Sequence, residues 1–240
     1  MYKRLQHYRF DWKLSLLTAL LLPLLLSLGF WQLQRAAEKL ALQEQYAARQ
    51  QEAPVALEQL NAADDLQYRQ VELTGRYDNA HNFLLDNRIH EGKVGYDLIT
   101  PFVTEAQRIV LVNRGWLAQG PTRAQLPPLN VVDGLVTVRG SVYVPVGRPL
   151  TLGVITPEAG WPQVIQTLDP MPAGAVAGYR AADVFPYSVR LAAGAPGVQV
   201  RDWPVISMTP ERHQGYAVQW FAMAAMLLGL YLYYSTRPSH

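Results

Sequence analysis

The chain of 240 residues contains no cysteine. Disulfide bonds, cysteine nucleophiles, thiolate metal sites and CxxC redox chemistry are therefore excluded. The sequence also lacks a glycine-rich phosphate loop, a GxSxG nucleophile turn and an HExxH zinc motif. Since none of the usual catalytic patterns is present, we expect a protein that is not an enzyme.

Charged residues make up only 17% of the chain, and two apolar windows have none: residues 14–33 and residues 215–234. Each window matches the ~20 helical residues that cross a hydrocarbon core of ~30 Å. We predict transmembrane helices over 14–33 and 213–234. The first is expected to be an uncleaved anchor, because its apolar run exceeds the ~7–15 residues of a signal peptide.

The distribution of basic residues predicts the orientation in the membrane. Residues 1–13 carry four basic side chains against a single acidic one, whereas residues 36–212 carry 15 basic and 18 acidic side chains. Basic flanks stay on the cytoplasmic side, and a mildly acidic middle disfavours nucleic-acid binding. We therefore expect cytoplasmic tails at 1–13 and 235–240, and a periplasmic domain at 34–212, in the inner membrane of a bacterium.

The segment between the spans changes from helical to strand-like composition. Residues 34–51 are rich in strong helix formers, so the first helix should continue to near Glu52, before Pro54. A second short helix is expected within 55–65. Beyond it, apolar and polar residues alternate with a period of two, which is typical of half-buried strands.

Seven strands are predicted, at 68–77, 82–86, 94–103, 107–113, 135–144, 163–168 and 184–191. The motif Asn113-Arg114-Gly115-Trp116 is expected to end a strand. The stretches 170–182 and 192–199 are rich in Ala, Gly and Pro and are expected to form loops. Glycines that follow alternating residues in VELTGRY and VTVRGSV suggest a bulge or a barrel corner. The predicted fold is therefore a membrane protein in which two transmembrane helices flank a mostly antiparallel β domain, barrel or sandwich, with a few short helices.

Unusual residues cluster at the two outer ends of the predicted spans. Helical spacing puts positions 28, 32 and 35 on one face of the first helix, and 213, 216 or 217, and 220 on one face of the second. An antiparallel hairpin would bring both sets to the same membrane depth. The residues concerned are Trp31, Gln32 and Arg35 on the first helix, and His213, Tyr216 and Trp220 on the second.

Two interpretations of this cluster remain open from the residues alone. Tryptophan and tyrosine often serve as simple anchors at a membrane interface, where Arg35 and His213 would meet water and headgroups. Alternatively, the cluster is a ligand site, since imidazole is the natural nitrogen ligand of haem iron and neighbouring groups can hold its propionates.

Six segments, in order along nearly the whole chain, resemble the surfeit-locus (Surf/Shy) family of cytochrome c oxidase assembly factors. The segments are LGFWQLQRAAEK (28–39), VELTGRYD (71–78), GYDLITP (95–101), LVNRGW (111–116), VTVRGSV (136–142) and HQGYAVQWFAMA (213–224). Two departures are Ala118, where the family tends to have proline, and a loose match over 145–182. Neither lies at the membrane-edge motifs.

The resemblance implies a bacterial assembly factor for haem–copper oxidases that binds haem a as transient cargo and assists its insertion into the main haem-bearing subunit. It places the haem-ligating histidine at His213 and the tryptophan–glutamine–arginine motif at Trp31, Gln32 and Arg35. Implied partners are that subunit, a haem a synthesis enzyme and the lipid bilayer. The alternative is a membrane scaffold that holds an oxidase intermediate without ligating haem. A copper chaperone is disfavoured by the absence of cysteine and by only five methionines.

Overall fold

A computed structural model describes residues 11–60, 64–122, 125–145 and 160–236. The chain forms two compact units, one made of Met1–Tyr46 together with Pro204–His240 and the other of Ala47–Trp203. The predicted tails 1–13 and 235–240 lie largely outside the described residues. Each unit has its own packing, which follows from a different sequence periodicity.

Two long helices dominate the first unit. Helix α1 spans Trp12–Gln51 and ends three residues before Pro54, as its helix-forming composition predicts. Helix α3 spans Pro210–Ser235. Both are long and apolar enough to cross a membrane, and only 11% of each apolar window is buried within the protein. This low burial distinguishes them from the core helices of a soluble protein.

The two helices pack antiparallel through small residues. Ser15 Oγ lies 3.0 Å from Tyr231 Oη near one end, and the rings of Phe30 and Phe221 meet edge to face at 5.2 Å further along. A Cβ atom at Gly29 would lie 2.5 Å from the Phe221 ring, so glycine is required for this approach. Small residues are the usual means by which apolar helices pack closely.

The second unit is a β barrel with additional strands. The strands are β1 Val55–Ala56, β2 Gln70–Tyr77, β3 Phe83–His90, β4 Lys93–Thr104, β5 Ile109–Ala118, β6 Val136–Tyr143, β7 Gln163–Ile165 and β8 Val184–Leu191. Antiparallel pairs link β2 to β6, β6 to β8, β5 to β4 and β4 back to β2, and a parallel pair of β5 with β8 closes the ring. The predicted two helices flanking a mostly antiparallel β domain are thus confirmed.

Gly75 marks the corner at which the barrel closes. It pairs with Val136 of β6 on one side and with Thr104 of β4 on the other. A Cβ atom there would lie 2.1 Å from the carbonyl oxygen of Val103. Of the two alternatives expected at this glycine, a bulge or a barrel corner, the structure has the corner, and its cause is the close approach of two backbones.

Three local predictions differ from the structure. Residues 55–59 form β1 and a 3₁₀ turn at Leu57–Gln59 instead of a helix, and 61–63 lie outside the described residues. The predicted loop at 170–182 contains helix α2, Pro170–Val176, because Asp169 caps the amide of Met171 at 3.2 Å. The motif at 113–116 does not end its strand, since a bulge at Arg114 lets β5 continue to Ala118.

Side-chain alternation divides the second unit into two apolar layers. Val110 and Val112 of β5 face the barrel interior together with Val189 and Leu191 of β8. Leu111 faces outward and packs in a second layer under α2. Helix α2 therefore covers part of the outer face of these strands, and polar side chains such as Asn113 and Ser188 lie beside this second apolar layer.

Candidate functional site

His213 is a buried polar residue of the first unit. It lies in the first turn of α3 and is only 8% exposed. Its Nδ1 is 2.7 Å from Oε1 of Gln32 on α1. A carboxamide oxygen accepts hydrogen bonds, so Nδ1 carries the proton and donates it. In the neutral ring, the lone pair then resides on Nε2.

The other ring nitrogen is left without a partner. Within the described part of the chain, Nε2 of His213 is buried and makes no hydrogen bond. A buried acceptor left unsatisfied costs about 1–3 kcal/mol. Metal-bound histidines usually donate their second N–H to a neighbouring acceptor, which fixes the tautomer and the ring plane. The pair of His213 and Gln32 has this arrangement, so the residues present fit an iron ligand.

Arg35 and Trp31 form a second pair on α1. The guanidinium of Arg35 lies 5.7 Å from the centre of the Trp31 ring, within cation–π range. Its Nη1 also donates to Oε2 of Glu38 at 2.7 Å. Trp31 is 46% exposed. Gln32 lies on the packed face of α1 with Gly29 and Ala36, whereas Trp31 and Arg35 lie outside it.

The two aromatic candidates on α3 differ in burial. Trp220 is partly buried and lies two turns beyond His213, on the same side of the helix. Tyr216 is 44% exposed. The structure thus joins His213 to Gln32 and Trp31 to Arg35, and it leaves Tyr216 available at the surface of the helix pair.

The other described histidines pair with carboxylates. His81 Nδ1 lies 2.5 Å from Asp78, which also accepts a hydrogen bond from the Tyr179 hydroxyl. Burial alone would raise the pKa of Asp78, but these two hydrogen bonds, the charge of His81 and a hydrogen bond from the Ala80 amide together lower that pKa. His90 Nδ1 lies 2.7 Å from Asp202. Among the described residues, no group of three or more His, Cys, Asp or Glu is placed to hold a metal ion.

Sequence reasoning missed the role of Arg114. Alternation along β5 turns this side chain into the barrel, where it is completely buried. Its Nε donates to the carbonyl of Gly197 at 2.9 Å and its Nη2 to that of Asn130 at 2.7 Å, and the guanidinium lies 4.9 Å from the Tyr77 ring. A single charge in an alternating apolar run is the only signal that the sequence offers.

Burial perturbs both members of the Arg114–Tyr77 pair. Loss of solvation raises the pKa of Tyr77 to about 12, although the nearby cation acts in the opposite direction. Loss of solvation also lowers the pKa of Arg114, against the effect of Tyr77. Tyr77 donates its own hydroxyl proton to the carbonyl of Pro196 at 2.9 Å. These contacts fix loops at one end of the barrel, so Arg114 has a structural role.

Comparison with known proteins places the chain in a family. A sequence model of the SURF1 family matches residues 19–225. A SURF1-like protein of Rickettsia felis is 35% identical over 108 residues, which cover 44% of this chain and 47% of that protein. A SURF1-like protein of Drosophila melanogaster is 28% identical over 221 residues, which cover 82% of this chain and 69% of that protein.

The match to the Rickettsia protein spans about half of that relative's length. The family model, in contrast, covers most of the present chain, including the barrel, most of α1 and the first part of α3. It also includes the hydrogen-bonded pair of Gln32 and His213. The chain therefore belongs to the SURF1 family.

Proposed function

We propose that this protein is an assembly factor for a haem–copper terminal oxidase, which binds haem a and assists its insertion into the main haem-bearing subunit. The observation that carries the proposal is the buried Nε2 of His213, which has no partner within the described residues. Haem a is cargo in this proposal, so its binding has to be reversible. A single iron ligand, supplied at the surface of the pair of helices α1 and α3, suits reversible binding of haem.

His213 is the proposed iron ligand, and Gln32 holds its ring. With Nδ1–H donating to Gln32, the Nε2 lone pair is available to iron. Trp220 and Tyr216 would pack near the macrocycle. Haem a has a long apolar tail, which suits an apolar helix surface.

Arg35 is the proposed partner of a haem propionate. A guanidinium offers a forked pair of donors that matches a carboxylate. In the structure Arg35 is held by Glu38 and by the ring of Trp31. A propionate would compete with Glu38 for Arg35 in an exposed ion pair that stabilises the protein by at most about 1 kcal/mol. The free-energy cost of exchanging Glu38 for the propionate is therefore small.

The proposed setting is a bacterial inner membrane, with both termini in the cytoplasm and residues 34–212 in the periplasm. The antiparallel contact of Ser15 with Tyr231 supports two ends on one side, and the basic residues at 1–13 support the cytoplasmic side. Alkaline phosphatase fused after Arg49 should be active, and the same reporter fused after Tyr234 should be inactive. Equal activity of the two fusions would contradict this topology.

The haem proposal is tested by co-expressing the full chain with a haem a synthesis pathway, purifying it and recording its optical spectrum. His213→Ala should remove most of the bound haem while the protein remains inserted. His90→Ala, which removes a histidine paired with Asp202 in the other unit, is the matched control and should retain haem at the wild-type level.

Variants at Gln32 separate ligation from general packing. Gln32→Leu removes the acceptor of the Nδ1 proton and should weaken haem affinity by about 10–100-fold. Gln32→Glu keeps an acceptor and should retain haem. Trp31→Ala and Arg35→Ala should weaken retention without abolishing it, since neither supplies an iron ligand. A His213→Ala variant with unchanged haem content and spectrum would favour the scaffold that never ligates haem.

A further inference from the structure

A cavity of about 270 Å³ lies on the outer face of the barrel in the second unit. Alternation along β5 and β8 turns Asn113, Ser188 and Arg190 away from the barrel interior. The segment that leads from β7 into α2 lines the opposite side with Thr167 and Leu168. The cavity is therefore walled by polar side chains of the sheet and by a partly apolar loop.

Arg190 is the dominant group of this cavity. Its buried Nε makes no hydrogen bond within the part of the chain that the structure describes. Aromatic rings surround the guanidinium instead, with Tyr143 at 3.6 Å and Trp203 at 5.6 Å from its central carbon. Burial lowers the pKa of Arg190, which reflects the cost of holding this charge away from water.

Among the described residues, the cavity wall contains one acid, Asp97, whose negative charge acts on the pKa of Arg190 in the direction opposite to burial. Asp97 accepts a hydrogen bond from Asn113 Nδ2 at 2.9 Å and lies 3.9 Å from Nε of Arg88. Arg88 and Arg190 both line the cavity with Asp97. One acid is thus shared by two arginines, so the wall has one positive charge in excess, and Arg190 is the more deeply buried of the two cations.

We propose that this cavity is a binding site for a small organic monocarboxylate, whose carboxylate group pairs with Arg190. A buried charge is normally paired or coordinated, and a guanidinium is suited to two parallel hydrogen bonds with a carboxylate. One negative charge balances the excess of the wall, whereas a phosphate dianion would exceed it. Leu85, Leu168 and Tyr143 provide apolar contacts for the remainder of the ligand.

The size of the cavity limits the ligand. Pockets for drug-sized molecules have volumes of about 300–1,000 Å³, and this one lies just below that range. A single aromatic or short aliphatic acid fits this class, while a whole tetrapyrrole does not. The carboxylate site is therefore distinct from the proposed haem site at His213, and the experiments below test it independently of haem binding.

The test uses the full chain in lipid nanodiscs, with 4-fluorobenzoate as the probe and fluorine NMR as the readout. Empty nanodiscs provide the blank, and 4-fluorobenzamide provides a neutral ligand of the same shape. We expect saturable binding of the acid and at least tenfold weaker binding of the amide. Acetate should displace the probe, and inorganic phosphate at the same concentration should displace it less.

Three variants locate the site. Arg190→Gln should weaken binding of the probe at least tenfold, and Arg190→Lys should restore only part of it because the forked geometry is lost. Arg180→Gln, which alters an exposed arginine of the same unit, should bind as the wild type does. If circular dichroism shows that Arg190→Gln is unfolded, Arg88→Gln takes its place with an expected loss of threefold or more.

The proposal is overturned by several results. These are no saturable binding of 4-fluorobenzoate beyond that of empty nanodiscs, equal binding of the amide, or unchanged affinity in a folded Arg190→Gln protein. Stronger displacement by phosphate than by acetate would overturn the assignment to monocarboxylates.

Discussion

Replacing Arg114 with methionine tests how the barrel is held together at its loop end. Methionine keeps most of the apolar stem but cannot donate to the carbonyls of Asn130 and Gly197. Hydrogen bonds from charged groups contribute about 1.5–3 kcal/mol each. The carbonyl of Gly197 keeps a second donor, Gln199 Nε2 at 3.2 Å, so most of the loss falls on Asn130.

Two further effects enter the magnitude. The cation–π contact with Tyr77 at 4.9 Å adds up to about 2 kcal/mol in a desolvated setting. In the opposite direction, removing a buried charge recovers part of its desolvation cost. We therefore expect a net loss of about 3 kcal/mol in the free energy of unfolding, or about 6–12 °C in Tm for a unit of this size.

The assay is thermal unfolding of the full chain, followed by near-ultraviolet circular dichroism of the aromatic residues. Arg139→Met is the matched control, because Arg139 is an exposed arginine paired with Glu72 across two strands. It should change the free energy of unfolding by less than about 1 kcal/mol. An Arg114→Met protein as stable as this control would refute the role assigned to the buried guanidinium.

Raising the pH should destabilise the barrel between about pH 10 and 12. The unfolded chain ionises Tyr77 near its ordinary pKa of 10.0, whereas the folded chain does so only near 12. Keeping Tyr77 neutral therefore contributes about 3 kcal/mol to the free energy of unfolding below pH 10, and this contribution is lost as the pH rises through 12. In denaturant titrations Tyr77→Phe should show a weaker decline over this interval, and an unchanged decline would contradict the assignment. In the helix pair, Gly29→Leu forces the Phe221 ring to move, and we expect it to cost about 1–3 kcal/mol of packing and to lower haem retention. Gly229→Leu adds the same side chain where no neighbouring atom lies within 4 Å, so its spectrum should match the wild type.

The strands could be predicted because their signal is local. All seven predicted strands are present, since alternation over five to ten residues is enough to mark a half-buried strand. Closure of the barrel depends on pairing between β2 and β4 and between β5 and β8. Those contacts join segments that are distant in the sequence, so the sequence alone left both barrel and sandwich open.

Helix α2 was missed for a local reason. Residues 170–176 read PMPAGAV, and proline and glycine are poor helix formers in isolation. The helix forms because Asp169 caps its start and because Ala173 and Ala177 pack against the outer face of the sheet. Tertiary contacts thus override composition here. The same helix contributes Pro170 to the wall of the cavity that contains Arg190, and the sequence did not indicate this cavity.

The candidate haem site could be predicted only in part. Helical spacing brought Gln32 and His213 to facing positions, but it also placed Arg35 on the face of Gln32. The structure instead continues the packed face of α1 from Gly29 through Gln32 to Ala36, with Arg35 exposed beside Trp31. Successive residues of an α-helix are rotated by about 100°. This rotation is enough to place Ala36 in the helix interface and Arg35 outside it.

Burial of His213 bears on the choice between an interfacial anchor and a ligand site. An anchor would place its imidazole among water and headgroups, where both nitrogens find partners. His213 is instead 8% exposed, with Nδ1 fixed by Gln32 and Nε2 without a partner in the described residues. This arrangement costs free energy in the absence of a ligand and is stabilised by one. The geometry therefore favours a ligand site, and the His213 and Gln32 variants test that conclusion through the haem spectrum.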